Sequence, residues 1–107
     1  MKDQTAFVEL FGSSPLIRVL NFLLLYREFD YSLSDIAKES GVGWNTLHVF
    51  FFTLVEKGIV KETRQVGRAK LYKLNTENPI VKKLIEINNM VTSKAVDDEL
   101  KKQEIEV

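Results

Sequence analysis

Apolar residues recur along the chain with two different periods, and the change from one to the other divides it. Helical spacing governs the first half. Phe7, Val8, Leu10 and Phe11 predict a short core-capping helix over residues 4–11, stopped by Gly12. Ser14 as cap and Pro15 at the first helical position open a second helix that runs to about Tyr26. It carries Leu16, Ile17, Val19, Leu20, Phe22, Leu23 and Leu24 on nearly every side, which marks the central core helix. Arg18 and Arg27 are read as solvated charges on it.

A short β-prone stretch, Asp30 to Leu33, leads into two closely joined helices: Ser34 to Ser40, a turn at Gly41-Val42-Gly43, then Trp44 to Lys57. Ser34 is the expected cap of the first, although Ser32 and Asp35 also have capping-box spacing and leave that start open by a few residues. Gly41 supplies the left-handed residue that ends it. Ile36, Val42, Leu47, Phe50, Phe51, Leu54 and Val55 make one apolar face across both helices, with small Ala37 where they approach. Trp44 projects toward this side on a helical wheel and is read as a packing residue. The opposite side presents Asn45, Thr46, His48, Val49, Phe52 and Thr53. This is helix-turn-helix spacing, in which that side of the second helix enters the major groove of DNA. A plain amphipathic pair has the same periodicity, and only the residues beyond Gly58 separate the two.

After Gly58 the period falls to two. Ile59 to Gln65 and Lys70 to Leu74 read as strands, with a turn at Val66-Gly67-Arg68-Ala69 that gathers Arg64, Arg68 and Lys70 near one tip. Asn78 and Pro79 then start a last helix. Within it Ile80, Leu84, Ile87 and Val91 have the four-three-four spacing of a short coiled-coil seam and are assigned to dimerisation, ahead of the competing use as a cap on the chain's own core. Val81, Ile85 and Asn88 lie beside the seam, toward the domain. From Lys94 onward charge dominates and the stretch reads as solvated surface. The order helix, helix, short strand, helix, turn, helix, hairpin, helix predicts a mainly α fold with a small β-hairpin: a winged helix-turn-helix over residues 1–78, with an added C-terminal helix and charged tail over 79–107.

With 107 residues, one domain is expected, large enough for one core but not for a separate ligand domain. Apolar residues at 45% and charged ones at 28% are an ordinary globular balance, which argues against a disordered chain. The formal net charge of zero argues against indiscriminate coating of nucleic acid, but it hides an asymmetry. Residues 57–73 hold six Lys or Arg against one acidic residue, so the positive charge sits on the hairpin. The absence of cysteine excludes disulfides, thiolate metal sites and thiol redox sensing. One histidine makes no metal site, no glycine-rich phosphate loop is present, and no catalytic constellation points to an enzyme, a cofactor or a particular small-molecule effector. The N-terminus has no leader pattern and the apolar run at 22–25 is too short to span a bilayer, so a cytoplasmic, membrane-free protein is expected.

The stretches LFGSSPLIRVLNFLL at 10–24, LSDIAKESGVGWNTL at 33–47, LVEKGIVKETRQVGRAKLYKLN at 54–75 and NPIVKKLIE at 78–86 resemble the small prokaryotic, chiefly archaeal, winged-helix transcriptional regulators. The resemblance implies a homodimer on double-stranded DNA. It places Asn45, Thr46, His48, Val49 and Phe52 of the recognition helix in the major groove, with Lys61, Arg64, Arg68 and Lys70, joined by Lys57, on the backbone or minor groove. One departure stands out. No Lys or Arg lies between Trp44 and Glu56, so guanine reading by Arg is excluded from this helix, leaving adenine to Asn45, phosphate or base edges to His48 and thymine methyls to Val49. The alternative is a winged-helix protein-interaction module, favoured by the outward Val49 and Phe52.

Overall fold

A computed structural model describes residues 5–106, with side chains to Gln103; Gln4, where the first expected helix begins, and the end of the charged tail lie outside that description. Among the described residues five helices and three strands follow in the order α1 (Ala6–Phe11), α2 (Pro15–Leu25), β1 (Tyr31–Ser32), α3 (Leu33–Ser40), α4 (Trp44–Glu56), β2 (Val60–Val66), β3 (Ala69–Leu74) and α5 (Pro79–Glu106). No described helix is long and apolar enough to cross a membrane.

The core lies between α2, the α3–α4 pair and the roots of the hairpin. Val19, Leu23 and Leu24 of α2, Ile36 of α3, Leu47 and Phe51 of α4, and Val60 and Leu74 of the sheet are all essentially buried. Phe51 meets the ring of Tyr72 edge-on at 5.1 Å, so one aromatic contact joins α4 to β3. Phe7 and Val8 of α1 are buried, whereas Leu10 and Phe11 on the same short helix are exposed. Asn21 is the buried polar residue of α2, and its Oδ1 accepts from the Thr5 hydroxyl at 2.7 Å.

Three local expectations are corrected. The cap of α3 is Ser32, whose hydroxyl accepts from the Asp35 backbone N–H at 3.1 Å, so the helix begins one residue before Ser34. Arg18 is not merely solvated: its Nε donates to the Ser40 carbonyl at 3.2 Å and its guanidinium also reaches the Gly41 carbonyl, placing a cation on the C-terminus of α3. Arg27 likewise donates to the Leu24 carbonyl at 2.8 Å, at the end of α2.

Turn chemistry sets the angle between the helices. Gly41 is left-handed at φ 68°, and the Val42 N–H returns to the Ala37 carbonyl at 2.9 Å. At the far end of α4, Gly58 has φ 73°, and a Cβ there would stand 3.1 Å from the Asn78 amide, so both conformation and space select glycine. Asn78 makes the junction. Its Nδ2 donates to the Gly58 carbonyl at 2.9 Å while its Oδ1 accepts from the Ile80 N–H at 2.8 Å, tying the end of α4 to the start of α5.

The sheet has the order β1-β3-β2, with every pair antiparallel. Val66 pairs with Ala69 across a two-residue loop whose first residue, Gly67, has φ 61°, as a type II′ turn requires. On α5, Val81 is buried and Leu84 and Ile85 pack against the core, while Ile80 and Ile87 face solvent. Leu84, expected in the seam, therefore packs against the domain's own core.

Candidate nucleic-acid interface

The outward face of α4 carries more ring than charge. Asn45, Thr46, Val49, Phe52 and Thr53 are exposed, Val49 most of all at 82%. Trp44 joins them. At 50% exposure it is no core residue, contrary to the helical-wheel reading; as the first residue of the helix it has no preceding turn beneath it and leans along the helix onto His48. The Trp44 and His48 ring centroids are 4.3 Å apart, and those of His48 and Phe52 5.8 Å, giving an aromatic ladder at every fourth residue.

His48 is fixed within the ladder. Its Nδ1 lies 2.8 Å from the Trp44 carbonyl, and a carbonyl oxygen only accepts, so Nδ1 carries the proton. In the neutral ring Nε2 is then left with its lone pair, an acceptor suited to the exocyclic amino group of adenine or cytosine. Sequence reasoning found His48 but missed this orientation, which depends on a backbone oxygen one turn back.

Register divides the wing cations between two faces. Val60, Tyr72 and Leu74 are buried, so alternation puts Lys70, two residues before Tyr72, on the side of the sheet that faces α4. Lys61 pairs directly with Lys73, and Arg64 with Leu71, on the opposite side. Arg68 is in the turn. A bulge between Glu62 and Arg64 lets two consecutive side chains reach the same acid: the Thr63 hydroxyl donates to Asp30 Oδ2 at 2.5 Å, and Arg64 donates through Nε and Nη2 at 3.0 and 3.2 Å. Arg64 thus clamps the middle of the wing to the chain before β1 and does not join Arg68 and Lys70 at the tip. The Arg64 and Thr63 hydrogen bonds hold the Asp30 carboxyl below its ordinary range, and the same ion pair raises Arg64. Burial raises the phenol of Tyr31 beside it.

What the structure brings together is a groove of about 350 Å³ between α4 and the wing. Trp44 and Phe52 form one wall, Arg68, Ala69 and Lys70 the other, and Tyr72 and the first residues of α3 close it behind. Among the described residues no carboxylate pairs with Arg68, and Lys70 has only Glu62 at 3.9 Å.

No protein-family model and no curated protein matches the chain. A solved structure does. A mutant of Lactococcus lactis ZitR in apo form is similar to it with a TM-score of 0.62 at 14% sequence identity, covering 91% of this chain and 73% of that one. The fold is a winged helix-turn-helix. In its terms α3 and α4 are the helix-turn-helix, the β2–β3 hairpin is the wing, and α5 is the added C-terminal helix.

Proposed function

We propose that the chain is a transcriptional regulator that binds double-stranded DNA sequence-specifically as a homodimer in the cytoplasm. The observation that carries this reading is the placement of Arg68 and Lys70 on the wing opposite the outward side of α4, so that one duplex meets base-reading and phosphate-binding side chains together. Asn45, Thr46, His48, Val49 and Phe52 supply base contacts, weighted toward amino groups and thymine methyls. Arg68 and Lys70 anchor the backbone. Residues 1–78 are then the DNA-binding unit and 79–107 the dimerisation segment and tail. The dimer buries Ile80, Leu84, Ile87 and Val91, and sets half-sites about 34 Å apart.

Selection of bound duplexes from a random pool tests the reading: a defined, two-fold related motif is expected, and an unenriched pool defeats it. Ile80 and Ile87, exposed at 59% and 38%, are the seam positions to change for the dimer. Replacing both with glutamate should give a monomer by sedimentation at micromolar concentration, while a parent that is itself monomeric there rejects the dimer. One observation favours the second reading, a protein-interaction module: Val49 and Phe52 present apolar surface on a helix without Lys or Arg inside it. An unenriched duplex pool would favour it.

A further inference from the structure

The aromatic wall of the groove beside α4 offers ring faces that paired DNA hardly uses. We propose that this groove is a site for an unpaired nucleobase of single-stranded DNA, its ring face against Trp44 and Phe52 and its phosphate on Arg68 and Lys70. The proposal rests on the same reading of this surface as nucleic-acid-facing, but differs in the form of DNA it takes.

A duplex shows a protein its phosphates and base edges, because each base face is covered by its neighbours, so an aromatic ring there gains only contact with a thymine methyl. Trp44 and Phe52 offer much more than an edge. The rings of the ladder are tilted by 53° and 58° rather than stacked, so they cover one another only in part, and Trp44 and Phe52 remain 50% and 44% exposed on one wall of the groove. An unpaired base has open faces, and stacking on aromatic side chains beside a basic groove is the general means of holding single strands. The volume of about 350 Å³ falls at the lower end of small-ligand clefts, room for one base rather than a run of them.

Charge selects the occupant. The wall opposite the rings holds Arg68, with no carboxylate partner among the described residues, and Lys70, with Glu62 only at 3.9 Å. An aromatic wall facing two available cations, at the tip of a segment with six basic residues against one acidic, complements a base joined to phosphate. Asn45 and Val49, exposed beside Trp44 and Phe52 on α4, leave room for a strand to continue past the seated base, which fits a strand better than a free nucleotide.

Trp44 is the chain's one tryptophan, so its emission reports the site directly. The full chain is titrated with a 12-nucleotide single strand, with the matching duplex and with a mononucleotide, following Trp44 emission and the anisotropy of labelled DNA. The single strand should bind and quench Trp44. Trp44→Ala should weaken it about five- to a hundredfold, by anisotropy, while leaving duplex affinity within about twofold, and Trp44→Phe, which keeps a ring, should retain single-strand affinity that Trp44→Ala loses. Absence of quenching by the single strand, equal weakening of strand and duplex by Trp44→Ala, or a mononucleotide bound as tightly as the strand would each overturn the proposal. Quenching by the single strand with no duplex binding supports this site and rejects the double-stranded regulator, so the two failures are distinct.

Discussion

The outward face of α4 and the tip of the wing stand across one groove and share almost no chemistry. The helix face has three aromatic rings, a valine and small polar side chains without a cation; the tip has Arg68 and Lys70 without an aromatic. Affinity that comes from phosphate is indifferent to sequence, whereas base edges and methyls carry sequence information but little charge. Under the proposed function the two tasks are separated by element. Substitutions on the two walls should therefore fail in different ways, whereas a recognition helix that carried Arg would mix them.

The largest effect should come from removing what holds the two walls in register. Phe51 is fully buried and meets Tyr72 edge-on, so Phe51→Ala should destabilise the domain by about 3–5 kcal/mol in urea unfolding and degrade both walls at once. A selective loss on one side would mean that they are not joined through this contact. Next come the base contacts. Asn45→Ala and His48→Ala should each relax base preference by about 1–3 kcal/mol with the salt slope unchanged. For His48 the fixed ring makes the expectation sharper: replacing the contacted adenine or cytosine by an analogue without its exocyclic amino group should weaken the parent but not His48→Ala.

Smaller at any one salt concentration, but uniform across sequences, is the wing. Arg68→Ala combined with Lys70→Ala should lower the slope of log affinity against log salt by about two, one per lost phosphate contact, and leave the ranking of duplexes nearly unchanged. A double variant with the parent's slope removes these residues as the electrostatic anchor.

How far the sequence could be read depends on the range of the forces involved. The order of the elements, the core helix α2, the Gly41 turn and the Gly58 stop were legible because each rests on a local period or a single residue's conformational freedom. Trp44 was misread because a helical wheel treats the first turn like any other, although nothing packs beneath it. Arg18, Arg27 and Arg64 were misread for another reason. Each is satisfied by a carbonyl or carboxylate presented by the fold, and for Arg64 the partner Asp30 is 34 positions away. The split of the wing cations was in principle accessible from strand alternation, since Lys70, Tyr72 and Leu74 share a parity, but the bulge at Thr63 changes the parity of β2 and is visible only in the register.

That split leads to the smallest expected effect. From sequence, Lys61, Arg64, Arg68 and Lys70 are assigned alike to the DNA backbone, and equal contributions would be expected of them. The sheet instead turns Lys61 and Arg64 away from the groove, with Arg64 held by Asp30. Lys61→Ala and Arg64→Ala should each change the salt slope by well under the roughly one unit expected for Arg68→Ala or Lys70→Ala. Asp30→Asn should free the guanidinium without moving it to the α4 side, and so should also leave the slope nearly unaltered. Acid provides a parallel check with a definite sign. Because the Asp30 carboxyl is depressed in the folded chain, its pairing contributes fully above the ordinary carboxylate value of about 3.9 and fades only as pH falls below that, through the lower folded value. The clamp should therefore be constant from about pH 5 to 8, and any change in DNA affinity within that window belongs to another group. A slope that drops by a full unit on Lys61→Ala or Arg64→Ala would show that DNA wraps the outer face of the wing, and the division between the two walls would have to be redrawn.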